Sequence, residues 1–244
     1  DGKLNIETSP GGSFDVGVYR VINYTGTLTN NVMDIADAPE AADSLYVQTS
    51  VNNQVNLVNH AGLTLRFWDG TGGENGELKN NGVINGGDGI WQSSQGNDNW
   101  TTDESTPEGA LNAPFTDAAF AVFQGEAGNV TVDNSKGDVI ISGAQFATDG
   151  YRVGGEAITT DTANTLIRVG DGTVDGANYT ATIDSVIRGT GGLNKGDLGT
   201  LILTGDNTYS GGTTITSGTL QVAGDTNLGA PETGITFNGG TLKY

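Results

Sequence analysis

A polar segment at 93–117 and the residues just before it hold the side chains best suited to binding. Carboxylates lie there beside two indole rings, at Trp91, Asp98, Trp100, Asp103 and Glu104. Indole rings stack on sugars, and suitably placed carboxylates can cleave a glycosidic bond by acid–base catalysis. The same pattern also fits a solvated acidic loop anchored by two packed tryptophans. Glycan binding at these five residues, glycan cleavage and a purely structural loop are therefore the three interpretations.

Nucleophilic catalysis has little support in the sequence. A hydrolase of the serine type needs a nucleophile, a base and a group that orients the base. His60 is the one histidine, and no Gly-x-Ser-x-Gly motif occurs in the chain. Ser210 comes closest, but Thr208 stands where that motif has its first glycine. We therefore expect His60 to be a turn residue and the chain not to be an enzyme.

Two glycine-rich stretches invite comparison with calcium loops. Residues 171–176 place Asp at loop positions 1 and 5 and Gly at position 6, but Thr182 stands where an EF-hand needs Glu. Residues 86–91 begin like a calcium nonapeptide, but Trp91 takes the place of its Asp. Both stretches are more typical of glycine turns, so we predict no metal ion and no other cofactor.

The composition excludes several classes of function. The 244 residues contain 29 acids and 10 bases, with a formal net charge of −19, so nucleic acid is a poor partner. The absence of cysteine excludes thiol nucleophiles, thiolate metal sites and disulfides. No apolar run approaches the length of a membrane span, so we expect no membrane insertion. The chain starts at Asp1 and ends within a strand-like pattern at Tyr244, which predicts a segment of a longer protein.

A short repeat organises the C-terminal part of the chain. The triplet Gly-Thr-Leu occurs at 199–201, 218–220 and 240–242, and each copy opens a short segment of alternating apolar and polar residues. A period near 20 residues made of short strands is typical of a β-solenoid, in which each period forms one coil. Alternation predicts an inward set and an outward set of side chains. The inward set is Leu201, Leu203, Leu220, Val222 and Leu242, and the outward set is Ile202, Gln221 and Lys243.

Upstream, the same alternation continues with looser spacing. We therefore predict an all-β chain that forms a single domain over residues 1–244, with coil following coil. Two segments interrupt the pattern. The polar segment 93–117 predicts a projecting loop. The Ala- and acid-rich segment 33–44 predicts a smaller loop or a short helix.

Residues 192–222, GLNKGDLGTLILTGDNTYSGGTTITSGTLQV, closely resemble the passenger-associated repeat of bacterial autotransporters, and the resemblance continues to residue 244. The sequence departs from that repeat at Asp197-Leu198, where the family usually has a glycine-rich pair. Four upstream segments also resemble parts of large autotransporter passengers: 67–70, 89–91, 97–101 and 119–123.

The resemblance implies a right-handed parallel β-helix that is exported by type V secretion through the periplasm to the surface of a Gram-negative bacterium. An outer-membrane β-barrel is expected C-terminal to such a passenger. Passengers of this family include adhesins, self-associating factors, proteases and esterases, so the repeat by itself leaves the activity open.

From the resemblance and the lack of catalytic groups, we expect the chain to mediate adhesion. The partner would be a host cell-surface or extracellular-matrix component, or another copy of the chain. Two alternatives remain at this stage. One is a passive stalk that presents another domain, and the other is a carbohydrate-active enzyme built on a β-helix.

Overall fold

The structure, a computed structural model, describes residues 2–8, 13–29, 33–73, 76–101 and 110–244. These residues form 23 β-strands and three short 3₁₀ turns (Ala42–Ser44, Asp175–Asn178 and Asp225–Leu228), and no α-helix occurs among them. The chain is therefore all-β, as the alternating sequence pattern predicts.

The strands follow one another closely along the chain. In chain order they are β1 (Lys3–Asn5), β2 (Gly17–Asn23), β3 (Asp34–Asp37), β4 (Leu45–Gln48), β5 (Gln54–Asn59), β6 (Leu65–Trp68), β7 (Gly89–Trp91), β8 (Trp100–Thr101), β9 (Asn112–Ala113), β10 (Ala119–Phe123), β11 (Asn129–Val132), β12 (Val139–Phe146), β13 (Arg152–Gly155), β14 (Ile158–Thr160), β15 (Asn164–Val169), β16 (Thr180–Ile183), β17 (Ile187–Arg188), β18 (Gly192–Gly196), β19 (Thr200–Leu203), β20 (Thr213–Ile215), β21 (Thr219–Val222), β22 (Ile235–Phe237) and β23 (Thr241–Lys243).

From β10 onward the chain alternates between two parallel sheets. Each strand pairs with the equivalent strand one period later, so that β16, β19, β21 and β23 lie side by side in a seven-stranded sheet. The second sheet has eleven strands and includes β10, β12, β15, β18, β20 and β22. Thr200, Thr219 and Thr241 are register partners, which confirms the offsets of 19 and 22 residues read from the repeat. This arrangement is consistent with a β-solenoid.

The core is the space between the two sheets, and it is filled by columns of stacked apolar side chains. One column in the seven-stranded sheet consists of Val153, Ile183, Leu203 and Val222, each at most 3% exposed. Because each period repeats the same inward positions, each coil buries its apolar side chains against the next. The predicted inward residues are buried or packed against this core, and the predicted outward residues are at least partly exposed.

The glycines of the repeat allow neighbouring coils to approach closely. Gly218 has φ +61°, and a Cβ on it would lie 2.4 Å from the carbonyl oxygen of Gly199 in the preceding coil. Only glycine meets both the positive φ and the missing space without strain. The repeat therefore needs glycine before each Thr-Leu pair for a steric reason.

The lysine of the repeat lies inside the corner of a coil. Lys195 is 0% exposed, and its Nζ donates hydrogen bonds to the carbonyl oxygens of Gly196 (2.7 Å), Asp197 (2.8 Å) and Ser217 (3.2 Å). A buried ammonium needs such partners, and here it satisfies carbonyl groups of two neighbouring coils. Lys195 therefore joins one coil to the next.

The N-terminal part of the chain does not continue the coils, which corrects the expectation of one uninterrupted β-helix. Strands β2, β5 and β4 form a separate antiparallel sheet. Val18 and Val58 of this sheet pack against Phe120 and Val122 on the outer face of β10, whereas Phe123 faces the main core. Both faces of β10 are therefore buried. Alternation alone misleads here because it is the same in parallel and antiparallel strands.

Buried polar groups also hold the N-terminal sheet in place. The Gln145 side chain accepts from the backbone N–H of Val18 at 2.6 Å and donates to its carbonyl oxygen at 2.8 Å. Arg168 donates to the carbonyl of Val16 and to Asp197 Oδ2, both at 2.9 Å. These bonds satisfy side chains that the docked sheet removes from water.

The two segments predicted as loops are partly ordered strands. Within 33–44, β3 pairs in parallel with β1, and the 3₁₀ turn at Ala42–Ser44 follows. Within 93–117, the described residues contribute β8, which pairs antiparallel with β6, and β9, which pairs antiparallel with β8 at the edge of the larger sheet. These described parts of 93–117 fold back on the end of the coil instead of projecting from it.

Candidate functional site

The two predicted tryptophans, in β7 and β8, lie inside the protein at the end of the two stacked sheets nearest the N-terminal half. Trp91 and Trp100 are 1% and 0% exposed. Their ring centroids are 4.9 Å apart, and the Trp100 ring meets Phe115 at 4.8 Å. The rings cover the end of the core, where stacked apolar side chains would otherwise meet water. The interpretation of Trp91 and Trp100 as sugar-stacking rings is therefore corrected, since protein covers both.

Asp98 is the one predicted carboxylate that the structure describes. Its side chain is 53% exposed and forms an ion pair with Lys79, which also donates to the Asp98 carbonyl oxygen at 3.0 Å. The hydrogen bond from Lys79 lowers the pKa of Asp98. A general acid of glycan cleavage needs the opposite shift. Asp103 and Glu104 lie outside the described residues.

A cavity of about 260 Å³ lies close to Asp98, and sequence reasoning missed it. Its walls are rich in glycine and acceptor groups, and consist of Asp69, Thr71, Gly72, Gly73, Leu78, Asn85, Gly86, Gly87, Asp88, Glu126 and Ala127. The only hint in the sequence is the position of Asp69 directly after the buried strand β6. The cavity offers hydrogen-bond acceptors but, among the described lining residues, no nucleophile paired with a base.

Asp69 is the buried group of this cavity. It is 1% exposed and accepts from the Asn85 backbone N–H at 2.6 Å and from Asn112 Nδ2 at 2.9 Å. Burial raises the pKa of Asp69, and these hydrogen bonds oppose the rise. Since Asn112 belongs to β9, Asp69 anchors the returning part of 93–117 to the coil. Its carboxylate is used structurally.

The remaining candidates for chemistry are also bonded to the protein. His60 Nε2 lies 2.9 Å from the Asp43 carbonyl oxygen, and the Gly62 N–H donates to Nδ1 at 3.1 Å. An imidazole that donates through one nitrogen and accepts through the other has none left to activate a nucleophile. His60 is a turn residue, as predicted.

The Asp171 loop is likewise held by protein groups. The Asp171 carboxylate lies 3.3 Å from Arg20 Nη1 and accepts from the Thr173 hydroxyl at 2.6 Å and the Tyr179 hydroxyl at 3.0 Å. Within the described ranges, no group of three or more acidic or histidine side chains is arranged to hold a metal ion. The described part of the chain also contains no helix long and apolar enough to cross a membrane.

The outer face of the seven-stranded sheet between β16 and β23 is a regular surface. We call it the threonine face, and its outward side chains are Thr180, Thr182, Thr200, Ile202, Thr219, Gln221, Thr241 and Lys243. The eight form two columns in register, and one column is threonine in every strand. None of the eight is acidic, although the chain carries a net charge of −19.

Carboxylates lie along both edges of this face. At the edge where the strands begin, Asp149 accepts a hydrogen bond from the Thr180 backbone N–H at 2.7 Å. Asp184, Asp206 and Asp225 follow the strands β16, β19 and β21. Arg152 pairs with Asp184 at the end of the face nearest β13. The face is therefore a strip of hydroxyl and amide groups between two edges that carry carboxylates.

Comparison with known proteins agrees with this architecture. Residues 193–222, which run from β18 to the end of β21, match the model of the passenger-associated-transport-repeat family. Over 248 aligned positions the chain is 55% identical to the adhesin BmaC autotransporter of Brucella suis biovar 1 (strain 1330), and the alignment covers 99% of this chain. The chain is a segment of an autotransporter passenger.

The passenger segment spans 7% of the length of the Brucella adhesin. As an autotransporter passenger it is exported to the surface of a Gram-negative bacterium. No solved structure matches the passenger segment significantly.

Proposed function

We propose that the passenger segment is an adhesive surface module. It binds a host cell-surface or extracellular-matrix component, or another copy of itself. The observation that carries this proposal is the 55% identity, along 99% of the chain, to an autotransporter named as an adhesin. Identity of this extent along the whole segment supports a shared fold and a related role.

The module acts by binding and not by catalysis. The described candidates for catalysis support this, because His60 uses both ring nitrogens in backbone hydrogen bonds and Asp98 has a lowered pKa beside Lys79. The accessible groups are instead those of an extended surface: hydroxyls and amides on the strands, and carboxylates at the turns.

The proposal includes a right-handed winding and a single domain over residues 1–244. Crossover connections between parallel strands are right-handed in nearly all proteins, which supports this hand. The N-terminal sheet shares an apolar cluster with β6 and β10, which supports one domain. A crystal structure tests both statements, and a left-handed coil or an undocked N-terminal sheet contradicts them.

Display on a non-adherent bacterium tests the function. The segment is fused to an unrelated autotransporter barrel, and attachment to host cells, attachment to matrix proteins and cell settling are compared with a barrel-only strain. We expect attachment or settling above that control. Equal values, with display verified by antibody, contradict adhesion by this segment and favour a passive stalk.

A further inference from the structure

We propose that the cavity beside Asp69 receives a cationic side chain, lysine or arginine, of the protein to which the passenger segment adheres. The inference rests on the proposed adhesive function and specifies the chemistry of the partner. The cavity has a volume of about 260 Å³. Pockets that enclose a whole small-molecule ligand usually measure about 300–1,000 Å³, so this cavity is of a size for one inserted side chain.

Hydrogen bonds from the body of the protein hold the walls of the cavity in place. The Gly87 N–H donates to the Glu126 carbonyl oxygen at 2.7 Å, and the Gly87 carbonyl accepts from the Trp68 indole at 2.8 Å. The Leu78 N–H donates to the Gly72 carbonyl oxygen at 2.9 Å. Because the walls are already bonded to each other, a ligand does not have to order them, which lowers the cost of binding.

Glycines keep the space of the cavity open. Four of them line it, at Gly72, Gly73, Gly86 and Gly87, and their φ angles lie between +74° and +88°. A Cβ added to Gly87 would meet no protein atom within 4 Å. Bare backbone of this kind allows a ligand to approach the main chain closely.

Three carboxylates determine the charge of the cavity. Asp69 is buried in its wall, whereas Asp88 and Glu126 are exposed. Asp88 accepts from the Asn129 backbone N–H at 2.6 Å through Oδ1, so Oδ2 remains available to a ligand. The described lining residues include no lysine and no arginine. A cleft lined by one sign of charge attracts ligands of the opposite sign.

Lys79 of the chain itself does not neutralise the cavity. Its neighbour Leu78 lines the cavity, but the Lys79 ammonium pairs with the Asp98 carboxylate and donates to Asn99 Oδ1 at 2.9 Å. Lys79 therefore holds the returning part of 93–117. The cation that the three carboxylates of the cavity attract comes from a partner.

Other classes of ligand match the walls less well. A calcium ion needs about six to eight converging oxygen ligands, and in the part of the chain that the structure describes no three acidic groups converge in this way. The described lining residues include no aromatic ring on which a sugar could stack. A lysine or arginine side chain has an apolar stem and a charged end. The stem matches Leu78 and Ala127, and the charged end matches the carboxylates.

One side chain in such a cavity binds weakly. We expect a dissociation constant on the order of 1 mM for a single cationic residue. In adhesion the cavity supplies one anchoring contact within a larger interface, and many copies on a cell surface act together.

Binding of a one-residue probe tests the cavity. The probes are Nα-acetyl-arginine methylamide and its lysine analogue, and the control is the citrulline analogue, which has nearly the same shape and no charge. We expect saturable shifts of the Gly72, Gly86 and Gly87 amide signals in NMR spectra of the purified segment with a cationic probe, and about tenfold weaker binding of the citrulline analogue. The absence of saturable shifts with both cationic probes overturns the inference, as does equal binding of the citrulline analogue.

Three variants test whether the probe binds in this cavity. Asp88→Asn with Glu126→Gln removes two charges but keeps the acceptor oxygens, and should weaken binding by about tenfold or more. The control Asp161→Asn with Glu40→Gln removes the same charges from two exposed acids that do not line the cavity, and should change binding less than about twofold.

The third variant, Thr71→Arg, places a cation of the chain itself at an exposed position of the cavity wall and should block the probe. It tests the cavity even if the variant of Asp88 and Glu126 fails to fold, which circular dichroism would show. Equal losses in the cavity and control variants, or full binding to Thr71→Arg, overturn the inference.

Cell attachment separates this inference from the proposed function. Bacteria that display the variant of Asp88 and Glu126 should attach to host cells or matrix proteins about threefold less than the wild type, and the control variant should attach like the wild type. Wild-type attachment that the cavity variant retains in full overturns the inference and leaves adhesion intact. Wild-type bacteria that do not attach, although the probe binds, contradict the proposed function and leave the cavity with its cationic ligand.

Discussion

The buried lysine of the repeat predicts an unusual pH dependence of stability. Burial lowers the pKa of Lys195 from 10.5 to about 7, and the neighbouring Asp197 opposes that shift. In the unfolded chain this lysine keeps its proton up to about pH 10. Between pH 7 and pH 10.5 the unfolded chain therefore binds more protons than the folded one, and the free energy of unfolding rises with pH. This contribution is complete above the unfolded pKa and is lost as the pH falls towards 7.

The expected size of the effect follows from the same pKa. At 1.36 kcal/mol per pH unit and per proton, with the folded lysine half-protonated at pH 7, the step from pH 7 to pH 9 adds about 2 kcal/mol. For a chain of this length that corresponds to a rise in Tm of about 4–8 °C. Few other side chains titrate between pH 7 and pH 9, because the sequence contains one histidine and no cysteine. Burial raises the pKa of Tyr19 and Tyr209 to about 12, well above the window.

Thermal unfolding of the purified segment at pH 7, 8 and 9 measures this effect. Lys195→Met removes the titrating group and is expected to abolish the rise, although it also lowers stability because three carbonyls lose their donor. Lys136→Met removes an exposed lysine and should leave the rise unchanged. A Tm that is flat from pH 7 to pH 9 in the wild type refutes the reasoning, as does an equal rise in Lys195→Met.

Three further substitutions test the packing. Trp100→Ala removes a ring that covers the end of the core, and it should lower the free energy of unfolding by about 3–5 kcal/mol. Urea titrations measure this loss. A loss below about 1 kcal/mol would contradict the role of Trp100 in covering the core. Asp197→Asn leaves the Arg168 guanidinium, 3% exposed, without its carboxylate. Amide hydrogen exchange in β2 should then accelerate, and unchanged protection contradicts the docking role of this pair. Gly218→Ala should destabilise by about 1–3 kcal/mol because of φ +61° and the close carbonyl, whereas Gly234→Ala, with open space around an added Cβ, should change stability by only about a few tenths of a kcal/mol. Equal effects of the two alanines would contradict the steric argument.

The coil region was predictable because its sequence repeats. Identical triplets at regular offsets define both the register and the inward positions, and the structure pairs Thr200, Thr219 and Thr241 accordingly. The close approach at Gly218 explains why glycine recurs there. In a repeat, each local preference is reinforced by the same preference one coil away.

The N-terminal sheet and the tryptophans that cover the end of the core could not be predicted from a repeat. Strands β2, β4 and β5 alternate like the coil strands, and whether strands pair in parallel or antiparallel depends on distant contacts such as Gln145 with Val18. Trp91 and Trp100 stand among polar residues, a pattern that fits sugar-binding rings as well as packed anchors of a loop, and the structure shows the packed arrangement, with the rings over the open end of the core. Large apolar surface at the end of a stacked core outweighs the local polarity.

The central claim is that these 244 residues bind by themselves. The most direct measurement is a competition assay, in which host cells are incubated with increasing concentrations of the purified segment before bacteria displaying it are added. The account predicts a saturable loss of attachment that heat-unfolded segment does not produce. Attachment that stays unchanged at all concentrations of folded segment would contradict it, and would place the adhesive surface elsewhere in the full-length protein.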